Sequence, residues 1–184
     1  MRRLLGAGGL LALLFTFRWA ARTSPPSAVS SPKLSELEDV LRSRNDNDPR
    51  LDRDFGALTP EDRRLFRLKY AALRPEDRNE RGTIVHLLGK NLGSADDWAF
   101  LRKVAAEPPC LSLADCSKRG LRAGPGDEVT LAYPSLVALK QAERVLEEKG
   151  PAAREALAVV KAGKGSQVPA VVRLAERIER LGKK

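Results

Sequence analysis

The chain has 184 residues, 42% hydrophobic and 31% charged, and its 33 Lys and Arg against 24 Asp and Glu leave a net charge of +9. That length accommodates one modest core, and the apolar content is too high for a wholly disordered chain. Aromatics make up only 5%, so the core must rest on Leu, Val and Ala, a balance that suits helices better than sheets.

The basic excess raises nucleic acid and anionic lipid as partners. Yet acidic and basic residues interleave after residue 35, as in "RLDRDF" and "LAERIERL", and no run of five basic residues occurs. Nor is any aromatic spaced among basic residues as a base-stacking platform requires. Nucleic acid is therefore not the expected partner.

Arg2 and Arg3 precede fourteen uncharged residues, Leu4 to Phe17, the order of a secretory signal. A spanning helix needs about 20 apolar positions; counting on to Ala21 takes in Arg18, whose long stem lets its charge reach the interface. Small-x-small cleavage is poorly provided for. A cut after Ala21 has Trp19 three residues back, a cut after Ala20 has Arg18 there, and a cut after Thr23, with Ala21 three back, is the best of the set. Residues 1–21 are expected to be a signal peptide or, preferably, an uncleaved signal anchor. Either places the rest outside the cytoplasm: anchored in the inner membrane, or periplasmic or secreted if the signal is cleaved. Residues 22–33, rich in Pro and Ser, read as a flexible linker, and 34–184 as a helical domain.

Leu34, Leu37, Val40 and Leu41 fall at helical spacing, and the helix is expected to stop at "NDNDP". A calcium loop is not expected there, because Arg50 and Leu51 follow Asp46 and Asp48 where ligands and a glycine are needed. Thr59 as cap, Pro60 next and Glu61 and Asp62 in the first turn open a second helix. Its expected buried stripe is Leu65, Leu68, Ala72 and Leu73, with Phe66 and Tyr70 beside it. The Pro-Glu-Asp-Arg run recurs at Pro75 and reads as another helix start.

Ile84, Val85, Leu88 and Leu92 share a helix face. Gly93 stands where a helix ends in the left-handed conformation, and Ser94 caps the next helix, with Asp96 and Asp97 in its first turn. Trp98, Leu101 and Ala105 form its apolar face, and Pro108 and Pro109 stop it. The only histidine, His86, lies on the other side of its helix from Leu88, with no Ser or second His at catalytic or metal-binding spacing. Its expected role is structural; an enzyme reading would pair it with Asp96 or Asp97.

With this order of features, "ERGTIVHLLGKNLGSADDWAFLRKVAAEPP" resembles a HEAT-type repeat unit. The resemblance implies an α-solenoid fragment that offers a surface to another protein. A second hairpin reads in "YPSLVALKQAERVLEEKGPAAREALAVVKAG". Its stripe is Leu136, Leu139, Ala142 and Leu146, and its corner Gly150-Pro151. A last helix carries Val171, Leu174, Ile178 and Leu181 inward and Arg173, Glu176, Arg177 and Arg180 outward. Starting points near 78 and 133 are too far apart for a period of about 40–47 residues, and "CLSLADCSKRGLRAGPGDEVT" breaks the array. The expected fold is all-α: an irregular array of antiparallel, HEAT-like αα-hairpins after an N-terminal hydrophobic helix.

Cys110 and Cys116 are the only cysteines. No further ligands complete a metal site, and the spacing is not C-x-x-C. Outside the cytoplasm a disulfide is expected. A continuous helix would hold their α-carbons roughly 9 Å apart, too far to bridge, so the bond requires a turn in "LSLAD". The glycine-rich "RGLRAGPGDE" lacks the Lys-Ser/Thr of a phosphate loop. It and the disulfide loop are candidate contact surfaces.

No catalytic, cofactor-binding or metal residue is assigned, and no cofactor. The expectation is a non-enzymatic helical adaptor of the cell envelope that binds another envelope protein, with the membrane reached through the N-terminal anchor. The alternatives are a basic domain binding anionic lipid or nucleic acid, and an enzyme.

Overall fold

The computed structural model describes residues 31–45, 47–110, 112, 115–116 and 127–182. Among them are nine helices and no strand: the fold is all-α. No helix among the described residues is long and apolar enough to cross a membrane. The signal or anchor expected at 1–21 and most of the linker lie outside the described residues.

Helix α1 spans Pro32–Ser43, two residues earlier than the expected domain boundary. Ser31 caps it by accepting from the Leu34 amide at 3.0 Å, and Pro32 supplies a preset first turn. A short helix α2, Arg50–Arg53, follows the "NDNDP" break. Helix α3 spans Pro60–Ala72 and opens with a full capping box: Thr59 and Asp62 each accept from the other's amide. Its buried side is Asp62, Leu65, Phe66 and Tyr70; Leu68, 54% exposed, and Ala72 turn outward, contrary to the expected stripe. The two phases differ by one residue, and the larger rings of Phe66 and Tyr70 decide between them because they bury more surface.

Helix α4 spans Arg78–Lys90. It does not begin at Pro75, which sits in a turn closed by the Asp77 amide donating to the Arg74 carbonyl. Helix α5 spans Ala95–Ala105, α6 Asp127–Leu131, α7 Tyr133–Glu147, α8 Ala153–Gly163 and α9 Pro169–Leu181. On α9 the inward residues are Val171, Ala175 and Ile178, while Leu181 is 44% exposed.

The packing is a stack. α4 lies against α7 and α5 against α8; α7 also pairs with α8, while α4 and α5 touch each other far less than either touches its counterpart. α9 covers α7 and α8, α3 covers α4, and α1 packs against α3. α4 is therefore central, with Ile84, Val85, Leu87 and Leu88 all buried.

Glycine sets how closely α4 meets α7. Gly82 and Gly89, two turns apart, face the partner helix; a β-carbon at Gly82 would run into the Tyr133 ring, and one at Gly89 into Gln141. Gly163 on α8 gives way to Leu139 of α7 in the same manner, its would-be β-carbon only 2.9 Å from Leu139 Cδ2. Polar ties add to this packing: Arg144 of α7 donates to the Gly89 carbonyl of α4 at 2.8 Å, and Ser135 Oγ of α7 donates to the Val104 carbonyl of α5 at 2.9 Å.

Candidate functional site

A wide concavity of about 960 Å³ opens where the start of α5 meets the corner between α7 and α8. Much of its lining is apolar: Leu92, Ala95, Trp98, Ala99, Pro151, Ala152 and Ala158. Asp96, Arg102, Arg154 and Glu155 stand at the rim. A second depression of about 250 Å³ shares Leu92, Trp98, Pro151 and Ala152 and is edged by Lys90, Arg144 and Glu148. Trp98 borders both. It is only half-buried, not a core residue; the buried side of α5 is Asp97, Phe100, Leu101, Val104 and Ala105.

Local chemistry shapes this groove. α7 ends through Lys149, which takes the left-handed conformation at φ 51°, and the Gly150 amide donates to the Val145 carbonyl. The left-handed residue is thus Lys149 and not the adjacent glycine. Ala152 leads into α8 without a side-chain cap. On the α5 side Ser94 does cap the helix, accepting from the Asp97 amide at 3.3 Å. Gly93 is not left-handed: α4 has already ended at Lys90, and a β-carbon at Gly93 would stand 3.1 Å from the Arg63 guanidinium.

The two aspartates that looked alike in sequence have separate fates. Asp96 is exposed at the rim. Asp97 is fully enclosed, its carboxylate held by Arg63 at 3.0 Å and by Arg67, and accepting from Ser94 Oγ at 2.8 Å and the Gly93 amide at 3.1 Å. Helix-dipole placement explains Asp96; a buried ion-pair hub explains Asp97.

His86 meets neither aspartate. It is half-buried between α4 and α7, with Nδ1 3.5 Å from Gln141 Nε2, beside a depression lined by Asp48, Asp52, Thr83 and Tyr133. Burial depresses its pKa below the ordinary 6.5, helped by Lys90 and Arg144 and opposed by Asp52. Asp48, the other acid beside it, is held by Arg50 at a pKa of about 2. Among the described residues no group of His, Cys, Asp or Glu is placed to hold a metal ion.

Cys110 and Cys116 lie within bonding distance, with α-carbons 5.0 Å apart, as a turn between them requires. Arg78, buried in the first turn of α4, donates to Cys110 Sγ at 3.1 Å and to the Ser112 carbonyl; Glu76 accepts from the Cys116 amide at 2.6 Å. Sequence reading missed both anchors, although two arginines (Arg78 and Arg81) on the same side as Gly82 are a detectable anomaly. Arg81 lies 4.2 Å from the Tyr70 ring centroid and shares Glu107 with the Tyr70 hydroxyl. Most of the glycine-rich connection, 119–126, lies outside the described residues.

The chain matches no known family, no curated protein and no solved structure.

Proposed function

We propose that the protein is a non-enzymatic helical adaptor of the cell envelope, exported or membrane-tethered, that seats an apolar segment of another envelope protein in the groove around Trp98. The observation that carries this reading is a half-buried tryptophan lining a wide concavity together with Leu92, Pro151 and alanines. Aromatic anchors in such settings contribute most of the energy of protein contacts. Under the HEAT-like reading, the α4–α5 and α7–α8 pairs are stacked units, and the groove lies at the corner end of the stack.

The anionic-ligand alternative ranks lower because many described cations are paired with carboxylates, as in Arg64–Glu61, Arg74–Asp77, Arg173–Glu128 and Lys164–Glu179. The enzyme alternative ranks lower because His86 faces Gln141 and the Asp97 carboxylate is engaged by two arginines.

The test is site-specific photocrosslinking of the full chain in cells. A photoreactive residue at Ala99 should give one discrete adduct that Trp98→Ala abolishes, while the same residue at Thr83, beside His86, should give none. Equal capture at both positions, or none at Ala99 in a folded protein, overturns the proposal.

A further inference from the structure

The disulfide sits in an electrically lopsided environment. On the Cys110 side is Arg78, buried, with Nη2 at 3.1 Å from Cys110 Sγ and 4.0 Å from Cys116 Sγ. On the Cys116 side is Glu76, whose carboxylate accepts a hydrogen bond from the Cys116 amide at 2.6 Å, and Asp115 is next in sequence. Arg81 and Glu107 face Cys110 across a shared cavity and pair with each other at 2.7 Å, so they contribute little net charge. Both cysteines are partly exposed.

A cation beside a sulfur favours its thiolate, and a carboxylate disfavours it. In thiol–disulfide exchange the sulfur with the lower pKa leaves faster, and a stabilised thiolate makes the disulfide easier to reduce. We propose that Cys110–Cys116 is a thiol-exchange site for an external dithiol, polarised so that Cys116 is attacked and Cys110 leaves.

The steps balance as follows. A thiolate of the incoming dithiol forms a bond to Cys116 Sγ. The Cys110–Cys116 bond breaks, and its electron pair stays on Cys110 as a thiolate beside Arg78. The second thiol of the reductant loses its proton and attacks its own partner sulfur in the mixed disulfide. Cys116 leaves as a thiolate and takes a proton from water. The dithiol is oxidised to a disulfide and the cysteine pair is reduced by two electrons; counted from the fully protonated dithiol, one net proton is released while Cys110 stays ionised. Reduction removes the covalent clip of the 110–116 loop, leaving hydrogen bonds from Arg78 of α4 and to Glu76 of the turn before it.

The decisive experiment uses glutathione, a monothiol with no second thiol of its own to resolve the mixed disulfide, on the oxidised full chain, with the adduct trapped early. Acid quenching and peptide mass spectrometry should find the adduct on Cys116. An adduct mainly on Cys110, or evenly shared, overturns the proposal. In parallel, the reduced protein is alkylated with iodoacetamide across pH. Cys110 should react as a thiolate below pH 7.5, and Cys116 only above the ordinary range near pH ~8.5. Arg78→Gln should lower the Cys110 thiolate fraction at pH 7 roughly tenfold, with Arg78→Lys restoring much of it. Two thiols titrating together near pH ~8.5 would also overturn it. Because the mapping and the pH profile use the unmutated chain, an Arg78 variant that fails to fold leaves the decision intact.

Discussion

Asp97 of α5 reaches back to α3 and holds Arg63 at 3.0 Å, with no part of its own side chain exposed to solvent. Arg67, one turn further along α3, grips the other carboxylate oxygen. This pairing ties the cover helix α3 to the start of α5 beneath the groove. Removing one member of a buried pair leaves the rest uncompensated, which typically costs about 3–5 kcal/mol. Asp97→Ala is expected to destabilise the fold by that amount, and Asp97→Asn by most of it, since Asn keeps the shape and loses the charge. The neighbouring Asp96→Asn, at the exposed rim, should change stability by no more than about 0.5 kcal/mol. Urea unfolding of the three variants checks the contrast; equal effects at 96 and 97 would refute the hub.

The close approach of α4 and α7 gives a second expectation. Replacing an interior helical glycine with alanine ordinarily gains roughly 0.5–1 kcal/mol. At Gly89 the new β-carbon would overlap Gln141, standing 2.9 Å even from its Cβ. Overpacking of this kind costs about 1–3 kcal/mol, so the overlap wins and Gly89→Ala is expected to destabilise. Gly56→Ala is the control, because a β-carbon there meets nothing within 4 Å, and it should be neutral or slightly stabilising. Thermal melts of the pair decide the sign.

How much of this was legible in the sequence divides by range. The caps at Thr59 and Ser94 were readable because an N-cap and the amide it satisfies lie three residues apart. The stripes of α1, α7 and α9 were readable in phase, with Leu34, Leu136, Leu146 and Leu174 only partly buried and Leu181 exposed. What failed depended on partners far along the chain. Whether Leu68 or Phe66 faces inward is decided by what covers α3, and Asp97 becomes a hub only because Arg63 and Arg67 arrive from thirty or more residues away. Gly93 looked like a helix stop because its local context permits one; in the fold it is glycine because Arg63 passes over it. The spacing of Trp98 with Leu101 and Ala105 places it on the apolar face of α5, and it does pack against the core, but its position at a corner leaves it only half-buried. The Cys110–Cys116 turn was deducible from distance alone; its anchors Arg78 and Glu76 were not.

His86 supplies a pH dependence whose sign follows from burial. Its folded pKa lies below the ordinary 6.5 because the ring is half-buried beside Lys90 and Arg144, with Asp52 opposing. As pH falls through about 6.5 the unfolded chain takes up a proton that the folded chain still refuses. The contribution of neutral His86 is therefore full above that pH and is lost progressively below it, until the folded pKa is reached. The nearby Asp48, held at about 2, titrates far below this window. His86→Gln should remove the slope that sets in below about pH 6.5 while leaving the acid transition of the carboxylates in place. Denaturant titrations at several pH values, compared between the two proteins, measure this; identical slopes would show that His86 carries no linkage.

Asn91 closes α4 and binds the preceding loop to it with one side chain. Its Oδ1 accepts from the Leu58 amide at 3.0 Å, while Nδ2 donates to the Phe55 carbonyl at 2.9 Å and the Leu87 carbonyl at 2.8 Å. Every hydrogen of that amide is used, and the orientation is fixed because only nitrogen can face two carbonyls. Asn91→Asp keeps the size and the acceptor but replaces both donors with a charged oxygen pointing at two carbonyl oxygens. Leaving such partly buried acceptors unpaired costs about 1–3 kcal/mol, with carboxylate–carbonyl repulsion added. Acid offsets part of that loss, because a protonated carboxyl regains one donor. The variant is thus expected to be less stable than the parent at pH 7 and to recover part of the difference toward pH ~4, the reverse of the His86 trend. Stability measured at both pH values, with Asn91→Ala as the charge-free comparison, tests it; a difference from the parent that does not narrow in acid would mean that the carboxylate has swung out to solvent.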